Sequence, residues 1–184
     1  MHIAVFYDRI VSVIEMKENW KYTAATGEAY TPYLHDCVAT KINVDGSEMT
    51  LDLPDGFWLL PDDPRNPWDE VHKTGPAQIV VSLGYPMPSN ELDDAIFAEL
   101  FHRRRLCRGV AWTTCTYPAV EKLIEKVNSG KWDLEFVWKY PTYDRGWLVE
   151  GYFHTGRKTR KCYLTVDFRQ IRFFWNEIRG DRVW

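Results

Sequence analysis

Three neighbouring residues, His35, Asp36 and Cys37, have side chains that could do chemistry. A His-Asp pair can hold a divalent metal ion for phosphate hydrolysis when further ligands surround it, and a cysteine beside a histidine can act as a thiol nucleophile. The residues that follow alternate as a β-strand does, and neighbouring side chains on a strand point to opposite faces. We therefore predict no metal site and no catalytic residue here. Asp36 is expected to form a turn with its own backbone, and Cys37 to be a small buried side chain.

The remaining candidate metal ligands are His102, Cys107 and Cys115. Their separations lack the CxxC or HxxxH spacing with which two neighbouring side chains bind one metal ion. We therefore predict no metal and no cofactor for this chain.

Carboxylates in the C-terminal third leave a small hydrolase or carbohydrate-active enzyme open as an alternative function. Two facing acids in an aromatic cleft can hydrolyse a glycosidic bond. The sequence alone selects no pair, because all the candidates lie at outward positions of strand-like segments. These candidates are Glu135, Glu150, Asp167 and Glu177.

Two local groups of basic residues raise RNA binding as a third function. One comprises Arg103–Arg105 with Arg108, and the other is the 156–161 segment. Basic side chains contact phosphates while exposed aromatic rings stack on bases. The formal net charge of −3 provides no global field for a polyanion, so nucleic acid is not the partner that we predict.

A hairpin between residues 35 and 58 would position the first group of residues. Asp45-Gly46 is typical of a two-residue type I′ turn, because both central residues of that turn adopt positive φ. This turn predicts one apolar face, which points towards a core. Its pairs are Val44 with Ser47, Ile42 with Met49, Thr40 with Leu51 and Val38 with Leu53.

The two ends of this hairpin lie opposite its turn, so the residues just before and just after it are expected on one small surface. That surface would combine a His-Asp pair with an acidic and aromatic segment, and a proline-rich loop follows it. The binding residues that we predict are His35, Asp36, Asp55, Trp58 and Trp68.

The fold class predicted for the whole chain is α+β, with one domain over 1–184. Its sheet is largely antiparallel, formed by hairpins and a C-terminal meander, and two helices are inserted at about 90–105 and 117–128. The meander is expected to turn at Arg169-Gln170, and two short strands are expected within residues 2–16. The first helix is predicted from an apolar stripe of Leu92, Ile96 and Leu100.

The composition is that of a globular protein with many aromatic residues, which make up 15% of the chain and favour strands. Four cysteines at long and unequal spacings indicate reduced thiols and not a disulfide framework. The sequence shows no secretory signal and no apolar run long enough to span a bilayer. We therefore predict a cytoplasmic protein that does not associate with membranes.

The His-Asp pair before a strand, the DG hairpin and the PDGFW segment after it resemble small bacterial β-rich proteins of unassigned function. Some of these are immunity proteins that neutralise partner toxins. The resemblance covers about 25 residues, transfers no functional residue, and implies stoichiometric binding of a protein partner without catalysis. The leading hypothesis is thus a non-enzymatic cytoplasmic binding protein, with the hydrolase and the RNA-binding protein as alternatives.

Overall fold

A computed structural model of the chain describes residues 20–84, 92–105, 111–143, 146–156 and 158–180. The strands predicted within residues 2–16 lie outside the described residues, as do Cys107, Arg108 and Arg157. The described part is mostly antiparallel β-sheet. Its elements are β1 (Tyr22–Ala25), β2 (Cys37–Ala39), β3 (Lys41–Asp45), β4 (Glu48–Leu53), β5 (Trp58–Leu59), β6 (His72–Lys73), β7 (Ala77–Leu83), α1 (Leu92–Ala95), β8 (Ile96–Arg105), β9 (Ala111–Thr116), α2 (Val120–Asn128), β10 (Asp133–Pro141), β11 (Gly146–His154) and β12 (Thr159–Trp175).

The predicted α+β fold with two helices is wrong. The helix expected at 117–128 is present as α2, but the one expected at 90–105 is reduced to the single turn α1, followed by strand β8. Ile96 and Leu100 satisfy both a helical and a strand period, and Ala98, buried between them, completes an alternation. Strand β8 also has a hydrogen-bonded partner on each side, β12 and β9, which outweighs its local helical pattern. Neither helix in the described ranges has the length and apolar content needed to cross a bilayer.

The 17-residue strand β12 belongs to two sheets. Its first part pairs with β11 on one side and β8 on the other, and its last part pairs with β7 and β1. We name these the front sheet, ordered β2-β10-β11-β12-β8-β9, and the back sheet, ordered β1-β12-β7-β4-β3. The predicted turn at Arg169-Gln170 is wrong, because the strand continues through it with a register shift between Phe168 and Gln170. Neither turn residue favours the positive φ of a tight hairpin, whereas both halves of the strand find partners.

Thr40 links the two sheets a second time. Strand β2 before it pairs with β10 in the front sheet, and strand β3 after it pairs with β4 in the back sheet. The backbone N–H of Thr40 donates to the carbonyl oxygen of Asp52 at 3.1 Å. The predicted pairing of Val38 with Leu53 is therefore wrong, because the chain changes sheets between them. The two sheets, joined by β12 and by Thr40, face one another across a common interior.

The predicted hairpin is present as β3 and β4, but its turn lies one residue later. Asp45 pairs with Glu48, so Gly46 and Ser47 form the two-residue loop, and Gly46 has a φ of 58°. Glycine at the first central position is the type II′ pattern and not type I′. The predicted pairs of this hairpin are therefore wrong, since Val44 pairs with Met49 and Ile42 with Leu51. The shift preserves the parity of both strands, so these four side chains remain on the inner face.

Helix α2 covers one side of the interior with three buried side chains, Val120, Leu123 and Val127. Its last residue, Asn128, accepts a hydrogen bond from the backbone N–H of Ile42 at 2.8 Å and donates one to the Ile42 carbonyl at 2.6 Å. These two bonds fix the end of the helix to β3.

The segment between β5 and β6 folds back on itself, because β5 and β6 pair as a two-stranded sheet. The Asn66 amide donates to the carbonyl oxygens of Leu60 and Glu70, at 3.1 and 2.8 Å. The buried carboxylate of Asp63 pairs with Arg65 at 2.7 Å. This loop places Trp68 at the surface, with 38% of the residue exposed.

Candidate functional site

Side chains of both sheets and of α2 leave an apolar cavity of about 290 Å³ unfilled. Protein interiors are normally as densely packed as organic crystals, so a space of this size is unusual within a core. Its walls include Leu51 and Ile79 from the back sheet, Val149 and Val166 from the front sheet, and Leu123 and Ile124 from α2.

A β-bulge in β10 decides which side chains face this cavity. The register of β10 with β11 shifts between Phe136 and Trp138, so Val137 is an extra residue in the strand. One extra residue reverses the alternation of side chains along the strand. Trp138 is therefore 48% exposed and borders the cavity beside His35. Lys139 pairs with the buried Val149 and lines the cavity.

Two of the binding residues predicted from the sequence, His35 and Asp36, form hydrogen bonds to the backbone of this bulge. Nδ1 of His35 lies 2.7 Å from the carbonyl oxygen of Val137, and it carries the proton of this bond because a carbonyl only accepts. The backbone N–H of Asp36 donates to the carbonyl oxygen of Phe136 at 2.8 Å. Asp36 has a φ of 56°, in the left-handed region that Asp tolerates better than most residues. The turn before β2 thus fixes the backbone that aims Lys139.

Gly151 provides the space that the bulge requires. It pairs with Phe136 across the two strands, at the residue where the register shifts. A Cβ atom on Gly151 would lie 2.4 Å from the carbonyl oxygen of Glu135. Any side chain at this position would therefore force β10 and β11 apart.

Lys139 is the one lysine or arginine among the described residues that line the cavity, and no Asp or Glu is among them. Burial lowers the pKa of Lys139 from its ordinary value of 10.5, because the charged form loses hydration. Its Nζ atom lies 4.4 Å from the ring centroid of Trp147 and 6.0 Å from that of Phe173, contacts that partly compensate the charge. No ion pair between Lys139 and a carboxylate is present among the described residues. The cavity therefore combines apolar walls with a single ammonium group.

Three of the predicted binding residues come together at the bulge end of the cavity. His35 lines the cavity, and its ring centroid lies 4.9 Å from that of Trp138. The Asp36 carboxylate lies 3.4 Å from Nε2 of His35. The indole N–H of the buried Trp58 donates to the His35 carbonyl at 2.8 Å. The Asp36 carboxylate thus contacts the His35 ring, whereas the sequence predicted a turn with its own backbone.

The other two predicted binding residues, Asp55 and Trp68, lie beside the C-terminal segment and do not line the cavity. Asp55 lies 3.7 Å from the Arg179 guanidinium. The Trp68 ring centroid is 4.2 Å from that of His72, whose Nδ1 bonds to the Arg179 carbonyl at 2.9 Å. The five residues therefore occupy two places, and a binding role for this second group stays a prediction.

Cys37 has the environment of a buried structural thiol. Burial raises the pKa of Cys37 to about 12, so the nucleophilic thiolate is disfavoured at neutral pH. Its Sγ atom lies 3.7 Å from the Tyr33 carbonyl and 3.6 Å from the His35 carbonyl. The thiol is thus directed at backbone oxygens and not at the cavity.

The remaining candidate groups do not converge. No three His, Cys, Asp or Glu side chains within the described ranges are placed to hold a metal ion. Glu135 pairs with His154 and Glu150 with Lys161, each at 2.6 Å, and neither acid lines the cavity. Among the basic residues, Arg160 lies over the ring of Trp132 at 5.2 Å.

Sequence reasoning missed Lys139. The alternation of Leu134, Phe136, Trp138 and Tyr140 indicates a regular strand with Trp138 inside and Lys139 outside. No residue of β10 indicates the bulge from the sequence alone, and Gly151 becomes informative only when the pairing of β10 and β11 is known.

In comparisons with protein-family models, curated proteins and solved structures, nothing matches this chain. Its function is therefore inferred from the cavity itself.

Proposed function

We propose that the protein binds a small apolar molecule in the cavity between its two sheets and catalyses no reaction on it. The observation that carries this proposal is the cavity of about 290 Å³ with apolar side chains on the front sheet, the back sheet and α2. This volume lies near the lower limit of small-molecule sites. It equals the volume of roughly ten water-sized groups, which suits a ligand of about ten carbon atoms.

The energetic cost of the cavity supports a binding role. Apolar side chains that line an unfilled space lack packing contacts on that side, and this loss lowers the stability of the folded protein. A ligand would supply the contacts that the lining side chains lack.

The matched residues Val149 and Leu148 allow a direct test. Val149 faces the cavity, whereas Leu148 pairs with the exposed Tyr140 on the outer face of the same strand. We expect 1-naphthylamine, a ten-carbon fluorophore that is neutral at pH 7, to bind the unaltered protein and Leu148→Trp with similar affinity. Val149→Trp is expected to bind at least about tenfold more weakly, because the larger side chain occupies the cavity.

The measurement is a fluorescence titration of the full chain, with circular dichroism to verify folding. Val81→Phe, a second cavity-filling variant, provides the same test if Val149→Trp does not fold. Equal binding by the unaltered protein and a folded cavity-filling variant would contradict the proposal, as would no binding by the unaltered protein.

Binding of a protein partner, expected from the sequence, is a second candidate function, and the outer face of the front sheet favours it. Phe97, Leu148 and Tyr140 lie in one row across β8, β11 and β10, with Thr165 of β12 between them. Phe97 and Tyr140 are 49% and 46% exposed, and aromatic residues are enriched at protein interfaces. Replacing both by serine would weaken a complex formed at this face and leave fluorophore binding unchanged.

The proposal includes a cytoplasmic location. Cys37, Cys115 and Cys162 are free thiols, as is usual for proteins in a reducing compartment. Fusing the chain to a redox-sensitive fluorescent protein in its native cells would test the location, and an oxidised reporter would contradict it.

A further inference from the structure

We infer that the ligand is an amphiphile with a single carboxylate, which pairs with the ammonium of Lys139 while its apolar part fills the cavity. This inference rests on the proposed function and names the chemical class of its ligand. Three observations support it: the direction of the Lys139 side chain, the charges that surround it, and the size of the cavity.

The direction of Lys139 depends on the bulge. In a regular strand Lys139 would point outward, because the buried Phe136 three residues earlier points inward. The extra residue Val137 turns it into the interior, and the bonds from His35 and Asp36 hold the bulge in that form. Bulges recur beside functional sites, where they aim a side chain.

The surroundings of Lys139 leave its charge without an anionic partner in the described structure. Its ammonium faces the rings of Trp147 and Phe173, and no carboxylate is among the described lining residues. Aromatic faces compensate a cation only in part. A ligand carboxylate would form a charge-assisted hydrogen bond of the stronger kind, whereas a cationic ligand would be repelled.

Decanoate and decanol provide a matched pair of probes, because they share a ten-carbon chain and differ in the charged head group. We expect the unaltered protein to bind decanoate about tenfold or more tightly than decanol, as a charge-assisted hydrogen bond predicts. Lys139→Met is expected to reduce decanoate affinity to that of decanol and to leave decanol binding nearly unchanged. Lys139→Arg is expected to restore the preference for decanoate.

The measurement is isothermal titration calorimetry on the full chain, at probe concentrations below micelle formation. Lys161→Met is the control, because Lys161 pairs with Glu150 on the outer face and does not line the cavity. Equal binding of the two probes by the unaltered protein would overturn the inference, and so would an unchanged decanoate preference in Lys139→Met. If 1-naphthylamine still binds in the cavity, only the carboxylate assignment fails. If no probe binds, the proposed function fails as well.

Discussion

Lys139 carries its charge in surroundings that disfavour charge. Because burial lowers the pKa of Lys139, the folded protein binds this proton less tightly than the unfolded chain does. Between the lowered pKa and the ordinary value of 10.5, the unfolded state holds more protons, so this group makes the free energy of unfolding rise with pH. A buried charge of this kind lowers the free energy of unfolding. Residues at functional positions commonly reduce stability in this way.

Replacing Lys139 by Met is therefore expected to stabilise the protein while it weakens decanoate binding. At pH 7 we expect a gain on the order of 1 kcal/mol in the free energy of unfolding, because a partly buried unpaired charge is removed. For a chain of this size the gain corresponds to roughly 2–4 °C in Tm. The advantage of the variant is expected to shrink as the pH rises through the lowered pKa, where Lys139 becomes neutral.

Thermal unfolding followed by circular dichroism at several pH values measures this effect. Lys161→Met, which removes an exposed ion pair, is expected to leave Tm nearly unchanged or slightly lower. A Lys139→Met variant that is clearly less stable than the unaltered protein would show that the lysine stabilises the fold.

Asp36 gives a second prediction at this scale, because its φ of 56° is unfavourable for β-branched residues. We expect Asp36→Val to reduce the free energy of unfolding by about 1–2 kcal/mol. Asp36→Gly is expected to remain close to the unaltered protein, because glycine adopts positive φ readily. Urea unfolding compares the two variants, and equal stabilities would show that the turn does not require this conformation.

At the scale of the elements, the sequence predicts where strands lie better than it predicts which strands pair with one another. The alternation in β10 and β11 reports burial on one face, and the apolar run of β7 reports burial on both; these strands are found where the patterns indicate. The missed features depend on pairing. Ala98 belongs to a strand because it pairs with Leu164 of β12, and Lys139 faces inward because β10 gains one residue against β11. The sequence identified His35 and Asp36 for their chemistry, whereas their contacts are those of residues that hold a bulge.

The pairing of β10 and β11 is open to a direct test at Gly151. Gly151→Ala is expected to destabilise the protein by roughly 1–3 kcal/mol, because its Cβ would lie 2.4 Å from the Glu135 carbonyl oxygen. It is also expected to reduce the preference for decanoate, since the bulge that aims Lys139 must shift. Urea unfolding and the calorimetric titration measure the two effects.

Gly180→Ala is the matched control, because the nearest atom to its added Cβ is a Trp68 ring carbon at 3.6 Å, an ordinary contact. Its stability is expected within about 0.5 kcal/mol of the unaltered protein. If Gly151→Ala were equally harmless, close approach of the two strands would not be required.

At the scale of the whole molecule, β12 joins the two sheets, because one continuous strand belongs to both. Its last residues, Phe173 and Trp175, are fully buried in the back sheet, and its first part holds Cys162, buried in the front sheet. The buried side chains of both sheets form one continuous core. The sequence favours a turn in the middle of this strand, so a single strand shared by the two sheets was not predictable from local patterns.

We therefore expect both sheets to unfold as one cooperative unit. Amide hydrogen exchange is expected to be slowest, and similar, at residues 162–166 and 171–175 of β12, since each stretch lies between two strands. Faster exchange is expected in β9, which pairs with β8 alone among the described strands, and in the small β5–β6 sheet. Free energies of opening that differ by more than about 2 kcal/mol between the two stretches would indicate two separate units.

The shared strand also constrains how this protein can evolve. Deleting one residue from the middle of β12 would exchange inward and outward positions in one sheet relative to the other, since side chains alternate at every residue. Substitutions in β12 affect single contacts, but a change in its length affects half of the core at once. We therefore expect relatives of this protein to tolerate insertions in the 60–71 loop, and to conserve the length of the Thr159–Trp175 segment even where its residues have diverged.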